Sequence, residues 1–144
     1  MKIIPFILLI ILIVGCSVYI EEDVQFQTIS KGSFNSLQEK SEYVIKNNED
    51  WKNLWHKINS FNKPESNLPG IDFNKSIIIA VFQGQKNTGG YNIEIKKIIE
   101  RKNYIEVQVK ENNSSGRFII EAITSPYHIV KINRLGKEIK FIYS

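Results

Sequence analysis

The sequence predicts an α+β domain: one helix packed on a twisted, mainly antiparallel sheet of six or seven strands. Three observations predict it. Trp51, Leu54, Trp55 and Ile58 follow the i, i+3, i+4, i+7 spacing of one apolar helix face. Ile77 to Phe82 is a continuous apolar run without helical spacing, the pattern of a strand covered on both faces. Most other apolar residues sit in short alternating runs separated by polar turns, as half-buried strands require.

Taken in order, Val24 to Ile29 alternates loosely and reads as a strand. Ser30 to Ser41 reads as a polar loop, and Tyr43 to Ile45 as a short strand. Asn47 or Asn48 then offers a side-chain acceptor to the free N–H groups of a helical first turn. Glu49 and Asp50 place negative charge at the positive end of the helix dipole. Asn62, Pro64 and Pro69-Gly70 end the helix and form a loop.

The Ile77–Phe82 strand is expected at the centre of the sheet, with the helix on one side. Tyr91, Ile93 and Ile95 alternate with Asn92, Glu94 and Lys96. A polar turn at Glu100 to Asn103 leads back through Ile105, Val107 and Val109, which makes a hairpin. Phe118 to Ile123 reads as strand, Pro126 interrupts, and Tyr127 to Ile132 resumes. Leu135-Gly136-Lys137 turns the chain into a last strand carrying Ile139, Phe141 and Tyr143. No internal repeat is present. Such a sheet can also curl toward a barrel.

The 144 residues fit one domain preceded by a targeting segment. Hydrophobic residues make up 42% and charged residues 24%, values that argue against a wholly disordered chain. The formal charge is +4, and the basic residues are interleaved with Glu and Asn. That mixed surface gives no stripe for nucleic acid.

Met1-Lys2 followed by an apolar run from Ile3 to Val14 reads as a signal peptide over residues 1–15. The run is shorter than the ~20 residues of a spanning helix. It ends at Leu12-Ile13-Val14-Gly15-Cys16, which resembles the bacterial lipobox. Cys16, the one cysteine, has no partner for a disulfide within the chain. Its thiol is the expected lipidation site, and cleavage before it frees an amine open to acylation by palmitate. Each buried CH₂ contributes ~0.8 kcal/mol, so two or three chains hold a protein at a membrane where one does not. The alternative is an uncleaved N-terminal membrane helix extended through Val18-Tyr19-Ile20. Both place the domain, residues 24–144, at the cell membrane and facing outside the cytoplasm. Residues 16–23 form the expected tether.

Asp72-Phe73 leads into Ile77-Ile78-Ile79-Ala80-Val81-Phe82-Gln83-Gly84. Thr88-Gly89-Gly90-Tyr91 follows, and then Thr124-Ser125-Pro126-Tyr127-His128-Ile129-Val130. Together with Glu49-Asp50-Trp51 and Leu54-Trp55, these stretches resemble the C-terminal domain of the protease complex subunit PrcB. The resemblance covers Tyr43 to Asn133. It implies a domain also found on small bacterial lipoproteins, without established catalytic residues, in an accessory role whose founding case lies in a surface protease complex.

No other motif points to chemistry. His56 lies off the apolar stripe and is expected to be exposed, and neither it nor His128 stands in a metal-ligand pattern. Ser125 precedes His128 by three positions, but the strand–turn–helix of a nucleophile elbow is absent. Gly84, Gly89 and Gly90 lack the Lys-Ser/Thr and the helix N-terminus that a phosphate loop needs. The expectation is a protein with no enzymatic activity, cofactor or metal. Its partners would be the membrane, through Cys16, and a surface protease or other protein.

The expected partner-binding residues are Thr88, Gly89, Gly90 and Tyr91. Glycine lets another backbone approach, and Tyr91 offers a broad face with a polar tip. The alternative function is a peptidase inhibitor presenting this loop. The loop is similar to the Thr-Gly-Tyr loop of chagasin-like inhibitors, although their Gly-rich second loop and Arg-Pro-Trp third are missing here.

Overall fold

A computed structural model describes residues 20–62, 64, 66–113 and 121–144. Among these, the chain forms β1 (Glu22–Asp23), β2 (Gln27–Gly32), β3 (Ser41–Ile45), α1 (Asn48–Ile58), β4 (Ser76–Phe82), β5 (Asn92–Glu100), β6 (Tyr104–Asn112), β7 (Tyr127–Asn133) and β8 (Glu138–Tyr143). The α+β class with one helix is as expected. The single sheet is not: the strands divide into two four-stranded sheets, ordered β1-β5-β6-β8 and β2-β7-β4-β3.

The division follows from the apolar pattern. In β4, Ile78, Ala80 and Phe82 face α1, where they pack with Trp51, Leu54, Trp55 and Ile58. Ile77, Ile79 and Val81 point the other way, onto Ile93, Ile95 and Ile98 of β5 and Ile105, Val107 and Val109 of β6. One helix covers one face only. The alternating hairpin β5–β6 supplies the cover for the other, and it does so as a second layer, not as neighbouring strands. The order through the molecule is helix, sheet, sheet.

Pairing is antiparallel throughout except for β6 and β8, which run parallel in register from Tyr104↔Glu138 to Val109↔Tyr143. A bulge between Ile95 and Lys97 shifts the alternation of β5. Ile93 and Ile95 point inward, Lys96 and Lys97 outward, and Ile98 inward again. The extra residue keeps both halves of a nine-residue strand on the core.

Asn47 caps α1, its Oδ1 accepting from the Asp50 N–H at 2.8 Å. The helix ends at Asn59, ahead of the expected breakers. The following loop is tied back to it, because the indole N–H groups of Trp51 and Trp55 donate to the carbonyls of Pro69 and Ser66. β2 begins later than expected and extends into the expected Ser30–Ser41 loop. The expected Phe118–Ile123 strand lies largely outside the described residues, and its end at 121–123 carries no strand. Glu22 and Asp23, read as tether, pair with Glu100 and Ile99 of β5.

The register gives the molecule two poles. At one, Glu22, Asp23, Glu100, Asn133 and Leu135 line a common depression where the chain enters the fold. At the other, β4 ends at Phe82 opposite Ser41 and Tyr127, and β5 begins at Asn92 opposite Asn112. The loop carrying Thr88 to Tyr91 lies at this second pole.

Candidate functional site

The loop between β4 and β5 is fixed at both ends. Gly84 has φ +80°, and a Cβ there would lie 2.8 Å from the Lys40 nitrogen and 3.0 Å from the Gln38 carbonyl oxygen. Glycine alone suits this crossing. The Gln85 N–H donates to the Gln38 carbonyl at 2.8 Å. Lys86 and Thr124 exchange a pair of backbone hydrogen bonds of 2.7 and 2.9 Å, and the Thr124 hydroxyl donates to the Thr88 carbonyl at 2.9 Å.

The four residues expected to bind a partner are thereby brought together but not equally presented. Thr88, Gly89 and Tyr91 are half-buried, and Gly90 is exposed. Gly90 has φ +88°, a left-handed conformation that glycine adopts without steric cost. The Lys86 ammonium lies over the Tyr91 ring, 5.4 Å from its centroid. Cys16 lies outside the described residues.

Beside this loop is a cleft of about 220 Å³ that the sequence reading missed. Phe34, Phe61 and Ile123 stand around it, 56%, 69% and 60% exposed. Its other walls come from Asn35, Ser36, Gln38, Gln85 and Ser125, so none of its lining is charged. The two phenylalanine rings lie 6.4 Å apart. A signal was present: Phe34 and Phe61 are lone aromatics in polar loop sequence, where no strand or helix pattern needs them.

The floor of the cleft is rigid. The Asn35 amide donates to the Ser125 carbonyl at 2.7 Å and to its hydroxyl at 3.1 Å, while Asn35 Oδ1 accepts from the Leu37 N–H at 2.6 Å. The Ser125 hydroxyl donates to the Leu37 carbonyl at 2.7 Å. Asn35 and Ser125 are both buried.

His128 is also committed elsewhere. Its Nδ1 accepts from the Ile95 N–H at 3.0 Å, at the β5 bulge. Nδ1 must therefore be unprotonated, which leaves Nε2 carrying hydrogen toward the Thr28 hydroxyl at 2.9 Å. Burial, reinforced by the nearby Lys31 cation and opposed by Glu94, pushes its pKa down to about 4. Ser125 and His128 thus each hold other partners and do not form a nucleophile–base pair. His56 is exposed, as expected. Among the described residues no three His, Cys, Asp or Glu side chains gather as a metal site, and no helix is long and apolar enough to cross a membrane.

The loop from Gly84 to Tyr91 and its Thr124 partner lie between β4 and β7, whereas the cleft also draws Phe34, Asn35, Ser36, Gln38 and Phe61 from earlier in the chain. Residues 77–133 match the PrcB C-terminal family. The family is the one the sequence suggested, over a stretch that begins at β4 and leaves out β3 and α1. Within the matched stretch, the Thr124–Thr88 contact joins two of the quoted motifs in space. No curated protein and no solved structure matches the chain.

Proposed function

We propose that this protein is a lipid-anchored, non-catalytic interaction module that works outside the cytoplasm, with protease-complex accessory duty as its family's suggested setting. The observation that carries the reading is the separation of the two poles. A chain tethered through Cys16 enters beside Glu100, and the uncharged cleft with its exposed Phe34, Phe61 and Ile123 lies at the far end. An apolar patch held away from its own anchor is suited to another protein.

Pull-down of the anchored chain from its native membrane tests this. A reproducible partner is expected, and a Phe34→Ser/Phe61→Ser variant should lose it while keeping its fold. A partner held equally well by the variant would refute the cleft, and no partner at all would refute the module. Mass spectrometry of the N-terminal peptide tests the anchor, since an unmodified Cys16 contradicts it.

The half-burial of Tyr91 and the tie on the Thr88 carbonyl favour a packed loop over one that inserts into a peptidase cleft. The inhibitor reading stands lower for that reason. Slowing of a peptidase that Gly90→Arg abolishes would restore it.

A further inference from the structure

We infer that β3 is a docking edge for an extended peptide, which adds as a fifth strand in the groove between β3 and α1. The inference deepens the interaction reading and rests on it, but names a surface separate from the far-pole cleft. β3 is the outer strand of its sheet, and its one strand neighbour among the described residues is β4. Alternate residues of an antiparallel edge strand turn both N–H and C=O outward. No cross-strand partner takes that outward row among the described residues.

The edge is not a bare rim. Tyr43, Val44 and Ile45 form one wall of a groove of about 380 Å³, and Asp50, Asn53, Leu54 and Lys57 form the other. Those four helix positions recur at i, i+3, i+4 and i+7, so they make one continuous face. This face adjoins the Trp51, Trp55 and Ile58 side, which is taken up by the core and the loop to Pro69, and the buried Leu54 belongs to both. A fifth strand here would lay its backbone on β3 and alternate side chains under α1, a recognised mode of peptide binding.

The charges fix the chemistry and the direction. α1 starts just after Ile45, and the Ile58 carbonyl accepts from Ser36 N–H, near the chain leading into β3. The helix therefore runs back along β3, with Asp50 toward the Ile45 end and Lys57 toward the Ser41 end. Asp50 and Lys57 are separated by roughly 10 Å along the axis. Two side chains four residues apart on one face of a strand are separated by roughly 13 Å. A peptide antiparallel to β3 would thus carry a basic residue first, an apolar one over Leu54, and an acidic one last.

The test uses the synthetic peptide Thr-Lys-Thr-Val-Thr-Glu-Thr, blocked at both ends and titrated into the isotope-labelled protein. Amide shifts confined to residues 41–45 and the facing side of α1 are expected. An analogue N-methylated at the central Thr-Val-Thr should bind at least about tenfold more weakly, because it keeps the side chains and loses the ladder. Asn53→Trp, at an exposed position, should fill the groove and abolish the shifts with the circular dichroism unchanged. Undiminished binding of the N-methylated analogue, shifts elsewhere, or no shifts at saturating peptide would each overturn the inference. So would a concentration-dependent dimer that protects the β3 amides, since a second copy would then own the edge. Loss of the groove with retained capture through Phe34 and Phe61 would sink this proposal and spare the interaction reading.

Discussion

Lowering the pH should destabilise this protein through one residue, His128. The imidazole is 2% exposed, and both ring nitrogens are engaged by neutral partners. In the unfolded chain it titrates near 6.5, and in the fold its pKa falls to about 4. Between those values the unfolded state binds the extra proton, so stability rises with pH. The contribution is fully present above about pH 6.5 and is lost as pH falls toward 4. A gap of about 2.5 pH units at about 1.36 kcal/mol each amounts to roughly 3 kcal/mol.

Protonation of Nδ1 would also remove the acceptor of the Ile95 N–H and place a cation near Lys31, with Glu94 offsetting part of it. Denaturant unfolding of the purified chain across this range should show the loss. His128→Gln should start less stable at neutral pH and show a flatter profile. Parallel pH profiles for the two proteins would refute the reasoning, because the pH dependence would then come from other groups.

Asn35→Ala should cost about 1–3 kcal/mol in denaturant unfolding, because it strands the Leu37 N–H and the Ser125 carbonyl in a buried place. Gly84→Ala should cost at least about 1–2 kcal/mol for the positive φ alone, and more from the backbone at Lys40. Gly136→Ala, at φ +64° but in open space, should show the conformational cost without the clash, and thermal melts of the pair would separate the two terms. Leu54→Ala should lose about 2–5 kcal/mol from the helix–sheet core. Phe61→Ser should change stability by less than about 0.5 kcal/mol, given its exposure.

The helix, the central strand and the hairpin were legible because each carries its own periodicity. The four aromatic and aliphatic positions from Trp51 to Ile58 are the helix face that packs on β4. The partition into two sheets was harder to read. Periodicity tells which face of a strand is buried, not which layer buries it. The clue lay in counting faces: β4 has two, and α1 covers one. The spacing of three from Ile95 to Ile98 records the β5 bulge, but only the structure shows why it matters, since the bulge lies where the Ile95 N–H meets His128. The parallel β6–β8 pair leaves no local mark, because register between distant strands is set by packing. At the far pole, the turn at Thr88 to Tyr91 was legible from its glycines. The cleft was not, because Phe34, Phe61 and Ile123 come from three separate segments.

The short strand β1 gives the molecule a definite mechanical order. It is two residues long and antiparallel to β5, with the Val24 N–H to Ile98 carbonyl bond just behind it. Glu21 pairs with Arg101 and Asp23 with Lys97 at the surface. A pull on the chain ahead of Glu22 loads these few bonds one after another, as in peeling tape, and reaches the six-residue strand β2 only later. Each residue peeled adds roughly 3.3–3.6 Å of chain. The entry strand would thus yield as a short extensible link under drag or jostling, while the helix–sheet–sheet core and the far pole kept their shape.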